Sequence, residues 1–202
     1  MDHTIQAIIL GKNLVFNIHD NPNIVILKIY FGADVNANAT NDAPLLEHAS
    51  LIGNTQIVKI LLKNGADPNC IGINGNSPLL VAVRLGNIRT VTLLLSYGAS
   101  PKSFGRGTSY RSPLQEASIF GSITIVKLLL KYGANVNEVY PNGKTALITA
   151  SEFNNTEVVK LLIDNGANMN VKDRKGNTAL SQALIIGNSN IVSILRERGA
   201  TE

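Results

Sequence analysis

The side chains best suited to chemistry are few in this chain of 202 residues: three histidines, His3, His19 and His48, and one cysteine, Cys70. Metal sites draw on clustered His, Cys and carboxylate ligands, and these four are too sparse and scattered to form such a set. A lone cysteine also excludes an internal disulfide framework and a cysteine-built zinc site. Cys70, in a turn region beside Ile71 with no histidine nearby in sequence, reads as a bystander. His48 reads as a partly buried polar residue rather than an acid–base group. No Walker A loop, dinucleotide-binding glycine fingerprint or His-Glu-x-x-His pattern occurs. Phe104-Gly-Arg-Gly-Thr-Ser109 offers backbone N–H groups to an anion, which is not a catalytic set. The expectation is a protein that is no enzyme and carries no cofactor or metal.

The one chemical concentration is electrostatic. Eighteen Lys and Arg against 14 Asp and Glu leave a net charge of +4, and the excess is uneven. No acidic residue lies between Asp67 and Glu116, whereas Arg84, Arg89, Lys102, Arg106 and Arg111 all do, with Phe104 and Tyr110 among them. Arg and aromatic residues on an irregular segment have the composition of a protein-binding hot spot, and an acidic partner segment is the natural complement. The plainer reading is a solvated loop whose Gly and Ser tolerate an insertion. Five cations without a Lys/Arg-rich run would hold nucleic acid only weakly and with a steep salt dependence, so nucleic acid ranks well below a protein partner.

Composition narrows the class of scaffold. Hydrophobic residues make up 45% of the chain but aromatics only 5%, with no Trp, and charged residues only 16%. That excludes a highly charged disordered chain and describes an aliphatic core. Every apolar run is broken within about six residues, well short of a bilayer span. Met1-Asp2-His3-Thr4 lacks the basic start of a signal peptide. A soluble, cytoplasmic protein is expected, with no membrane association.

The elements that must position any site come from a repeat. Gly-Ala recurs at Gly32, Gly65, Gly98, Gly133, Gly166 and Gly199, at spacings of 33, 33, 35, 33 and 33 residues. Each glycine from Gly65 on follows an apolar helix-like block such as Ile57-Val58-x-Ile60-Leu61-Leu62 or Val158-Val159-x-Leu161-Leu162-Ile163, and it suits a helix C′ position of positive φ. After it come Asp-Val-Asn, Asp-Pro-Asn, Asn-Val-Asn or Asn-Met-Asn, then a tight turn at Asn74-Gly75, Asn142-Gly143 or Lys175-Gly176. Next stand Ser77-Pro78-Leu79, Ser112-Pro113-Leu114, Thr145-Ala146-Leu147 and Thr178-Ala179-Leu180, in which Ser or Thr is an N-cap and Pro takes the first helical position. Each unit therefore reads as turn, short helix, tight connection, longer helix and glycine cap. One unit cannot bury its own apolar face, but a stack can.

These residues resemble the ankyrin repeat family over essentially the whole chain. The family's Thr-Pro-Leu-His-x-Ala signature is degraded to Ser77-Pro-Leu-Leu-Val-Ala82, Ser112-Pro-Leu-Gln-Glu-Ala117, Thr145-Ala-Leu-Ile-Thr-Ala150 and Thr178-Ala-Leu-Ser-Gln-Ala183, with the histidine missing from every copy. Gly-Ala-Asp-x-Asn at Gly32–Asn36 and Gly65–Asn69 is closer to the family form. The resemblance implies an all-α solenoid of helix–turn–helix units joined by β-hairpin-like turns. It implies one domain over 1–202: a cap over 1–31 and repeats over about 32–64, 65–97, 98–132, 133–165 and 166–202. Pro44 falls one residue early, so the first copy's helix is expected to start early. Asn154 replaces a turn glycine, and Arg196 replaces an inward Leu or Ile as in a C-terminal cap.

The resemblance also implies where a partner would bind. The residues ending each first helix, Leu51-Ile52, Arg84-Leu85, Ile119-Phe120, Glu152-Phe153 and Ile185-Ile186, would line a concave groove, and the second of each pair is always apolar. Whether that second residue faces a partner or packs under the next unit is open from sequence. Turn tips add Thr40-Asn41, Ile73-Asn74, Pro141-Asn142 and Arg174-Lys175, with Lys144 beside them, and the insertion adds Phe104, Arg106, Tyr110 and Arg111. Leu61…Asp67-Pro68-Asn69 resembles the Leu-x5-Asp-x-Asn pattern of asparaginyl hydroxylase substrates, making Asn69 a modification candidate. The function implied is a protein-binding scaffold, monomeric, with a partner of acidic character. Ankyrin repeats also serve as host-directed effectors of intracellular bacteria and large viruses, which is the alternative.

Overall fold

Most of the described helices begin where the sequence supplies an acceptor for an orphan N–H. In the computed structural model the side chains of Ser77, Ser112, Thr145 and Thr178 accept the N–H three residues on, at 3.1–3.3 Å. Pro78 and Pro113 occupy the first helical turn, where no N–H is needed. Four of the second helices start instead at asparagine: Asn21, Asn54, Asn87 and Asn188 cap Ile24, Ile57, Thr90 and Ile191 at 3.0–3.1 Å, whereas Ser122 and Asn155 before the other two make no such bond.

The structure describes residues 15–17, 20–39, 43–72, 74–102 and 111–201. The described residues are all-helical, with a single isolated bridge between Asn38 and Pro44. The chain divides into two compact units, Met1–Ser100 with Gly105–Gly107, and Pro101–Phe104 with Thr108–Glu202. The first unit holds α1 (Pro22–Tyr30), α2 (Leu45–Ile52), α3 (Thr55–Lys63), α4 (Pro78–Arg84) and α5 (Ile88–Ser96). The second holds α6 (Pro113–Phe120), α7 (Ile123–Lys131), α8 (Ala146–Glu152), α9 (Thr156–Asp164), α10 (Ala179–Ile186) and α11 (Ser189–Glu197). Each unit has two layers. In the first unit α2 packs on α4, and α3 lies between α1 and α5; in the second α8 lies between α6 and α10, and α9 between α7 and α11.

The glycine of each Gly-Ala pair does what its spacing suggests. At the end of α5, Gly98 has φ +87°, and its N–H and that of Ala99 return to the carbonyls of Leu95 and Leu94. That is a Schellman closure, which requires a left-handed residue. The same pair of bonds closes the other five second helices. Asn154, in place of a glycine after α8, holds φ +62°, a region asparagine tolerates better than most residues.

One expectation fails. Pro44 does not start its helix early: it sits at the N-cap with φ −53° and ψ 132°, and α2 begins at Leu45, eight residues before Gly53. The other first helices keep the same offset from their turn residue. The register is fixed by packing, so the displaced proline is left outside the helix.

The layers approach through alanine. Ala49, Ala82, Ala117, Ala150 and Ala183, one per first helix, are all buried. The second helices supply the larger aliphatic side chains, including Val58, Leu61, Val91, Leu94, Val126, Leu129, Val159 and Leu162, none of them measurably exposed. Burying each such side chain contributes about 1.5–3 kcal/mol, which explains how a chain without Trp builds a core.

The missing histidine is replaced by other inter-repeat ties, most of them asparagine. Asn36 Oδ1 accepts Asp67 N–H at 2.8 Å while its Nδ2 donates to Gly65 O at 3.3 Å. Asn69 does the same with Ser100 N–H and Gly98 O (2.8 and 3.1 Å), and Asn137 with Asn168 N–H and Gly166 O (2.7 and 3.0 Å). Asn170 accepts Thr201 N–H at 3.0 Å. A second series runs through the turn before the second helices: Asn87 Nδ2 donates to Gly53 O, Asn155 Nδ2 to Ser118 O and Ile119 O, and Asn188 Nδ2 to Asn154 Oδ1. Gln115, at the position of the family's histidine, donates to Thr149 Oγ1 at 3.3 Å, and the Ser112 and Tyr140 hydroxyls pair at 2.9 Å.

Candidate functional site

Backbone register decides which first-helix residues reach the surface. Three positions before the turn residue stand Ser50, Val83, Ser118 and Ser151, all buried, in four of the five first helices; one position before it stand Ile52, Leu85, Phe120, Phe153 and Ile186, all between 41 and 57% exposed. The question left open by the sequence is thereby resolved: the second residue of each pair faces outward rather than packing under its neighbour. Of the first residues in each pair, Leu51 is about half exposed and Ile185 is 70% exposed. Ile119 and Arg84 are half-buried, and the Ile119 carbonyl belongs to the Asn155 tie.

One turn reaches this row. In the second unit Lys144 Nζ meets Glu152 Oε2 at 2.5 Å, and Glu152 precedes Phe153. A tip cation therefore reaches the helix end that presents the row. The tips also pack on one another. Arg174 N–H donates to Asn142 O at 3.4 Å, and Gly143, at φ +80°, has no room for a side chain: a Cβ there would lie 2.6 Å from Arg174 N.

Beneath this tip sits Asp173. Burial opposes its ionisation, but the N–H groups of Asn177 and Lys175, each at 2.8 Å, the Asn177 amide and the nearby Lys144 outweigh that and hold the carboxyl below its usual range. The tip therefore uses its own carboxylate internally. Arg174 and Lys175 are exposed, and neither makes an ion pair with any described residue.

Arg111 is placed differently. Its guanidinium is part-exposed and lies 3.4 Å from the carboxylate of Glu116, which is buried, so much of its charge is spent on an internal partner. Ile73, Phe104, Arg106 and Tyr110, and with them Thr40-Asn41, lie outside the described residues. His48 is buried on α2. Burial, then the negative charge of Asp67, pushes the Cys70 thiol up to about 12, so the thiol stays protonated at neutral pH. Burial likewise raises the Glu47 carboxyl. Among the described residues, no group of His, Cys, Asp and Glu side chains could hold a metal ion, and no helix is long and apolar enough to cross a membrane.

Asn69 has a structural account: both ends of its amide are engaged between repeats. Sequence reasoning passed over two features of the surface. The repeat pattern marks Glu152 only as a position in the row, although Lys144 eight residues before it pairs with it across a turn and short helix. Leu184 is 42% exposed at the register where the other helices bury Ser or Val; its size alone was the signal.

The family model described as ankyrin repeats (three copies) matches residues 14–104 and 114–201. The chain belongs to the ankyrin repeat family. No curated protein matches it. Ankyrin repeats are protein–protein interaction modules and typically non-catalytic, and a fold of this kind leaves function to the surface grafted on it. The match implies protein partners.

Proposed function

We propose that this chain is an adaptor that binds a protein partner through the row ending its first helices and the turn tips beside it, working as a monomeric domain over 1–202 in the cytoplasm without catalysis of its own. The observation that carries this reading is the exposed apolar side chain one residue before the turn in every first helix, Ile52, Leu85, Phe120, Phe153 and Ile186. Each unit keeps an aliphatic or aromatic residue part-exposed at this position in every first helix, Ile52 and Leu85 in the first and Phe120, Phe153 and Ile186 in the second, and exposed apolar surface marks interaction sites. A host-directed effector would use the same surface, differing only in whose protein it holds.

The test is affinity purification from the native cell with wild type and with a variant carrying Ile52→Ser, Leu85→Ser, Phe120→Ser and Phe153→Ser. All four side chains are exposed, so the melting temperature should stay near wild type while partners are lost. An unchanged set of partners on the variant would overturn the reading.

A further inference from the structure

Resting on that reading, we propose that the second unit's row takes an acidic amphipathic helix of its partner, with an apolar residue at every seventh position and carboxylates along one adjoining flank. Spacing argues for the helix. Phe120, Phe153 and Ile186 end α6, α8 and α10, and neighbouring packed helices lie about 8–10 Å apart, so the three apolar side chains recur at about that interval. Seven residues of a helix rise about 10.5 Å and return to nearly the same face. An extended segment presents same-face side chains about every 6.7 Å, out of step with the row after one repeat.

Charge argues for the acidic flank. The carboxylates near this face are already engaged. Asp173 is held by its own turn, Glu116 is buried against Arg111, and Glu152 is paired with Lys144. The exposed cations Arg174 and Lys175 have no such partner among the described residues. Fixed positive charge beside an apolar row discriminates by repelling the wrong sign as well as attracting the right one. Because Lys144 lies against Glu152 next to Phe153, an incoming carboxylate competes with Glu152 for the same ammonium group.

The experiment is a display selection of random 21-residue peptides on the full chain, with Phe120→Ser/Phe153→Ser as counter-target, followed by fluorescence anisotropy on the enriched peptides. Enriched sequences should be rich in Glu and Asp and carry apolar residues seven apart. Their affinity should fall at least tenfold in Arg174→Glu/Lys175→Glu, rise severalfold in Glu152→Gln, and weaken with salt. Enriched peptides that need Phe120 and Phe153 but lack the acidic excess or the heptad overturn this inference and leave the adaptor reading standing. So does duplex DNA that binds with the same dependence on Arg174 and Lys175. If no enriched peptide distinguishes wild type from Phe120→Ser/Phe153→Ser, the adaptor reading falls with it.

Discussion

The asparagines show how much a single side chain does in this chain. There are 24 of them, an abundance that by itself suggests only a base-composition bias. The structure gives many of them work: an amide carries a donor and an acceptor on one short stem, and Asn36, Asn69 and Asn137 each use both to tie one repeat to the next. Asn137→Ala removes two such bonds at an exposed site, at about 0.5–1.5 kcal/mol each. It should therefore lower stability by about 1–3 kcal/mol, read as a shift of the urea midpoint at constant slope; a midpoint within error of wild type would show the ties to be ornamental. The period of these residues was legible, since they recur with the Gly-Ala register. Their role was not, because whether an exposed amide meets a neighbouring repeat depends on how closely the repeats stack.

At the scale of the helix, caps and closures were readable residue by residue. Ser77-Pro78 and Ser112-Pro113 start helices, and the glycines end them, for reasons contained in the local sequence. Pro44 marks where local reasoning stops: the stack sets where α2 begins, and the proline is accommodated outside it. The outward position of Phe120 and Phe153 was likewise undecidable from pattern, because an apolar residue at a helix end suits both a core and a surface. Alanine at the first-helix contact shows the opposite case, in which packing leaves no choice. Ala150 has no exposed surface on α8, the helix between α6 and α10. Three added carbons there must push neighbouring helices apart, and overpacking costs about 1–3 kcal/mol. Ala150→Leu should unfold at correspondingly lower urea, whereas a stability equal to wild type would mean that the layer is looser than its burial indicates.

For the molecule as a whole, stacking makes stability a sum of neighbour interfaces, so it depends on position along each unit. In the second unit α8 is packed on both sides, by α6 and α10, and its register positions Ser151 and Ile148 are buried. The principal partners of α10 are α8 and α11, and the corresponding Ser181 is half-buried and Leu184 exposed. On α11 Arg196 is exposed, while the first helix of the same pair keeps an apolar surface at Leu184, Ile185 and Ile186. An element with one neighbour fewer opens at lower free energy, and a difference of about 1.4 kcal/mol changes the open population tenfold. Native-state hydrogen exchange should therefore find the amides of α10 and α11 exchanging at least tenfold faster than those of α8 and α9, with the gap closing when a partner covers Phe120, Phe153 and Ile186. Uniform protection across the four helices would mean that the second unit opens only as a whole, and that the exposure of Leu184 carries no cost in local stability.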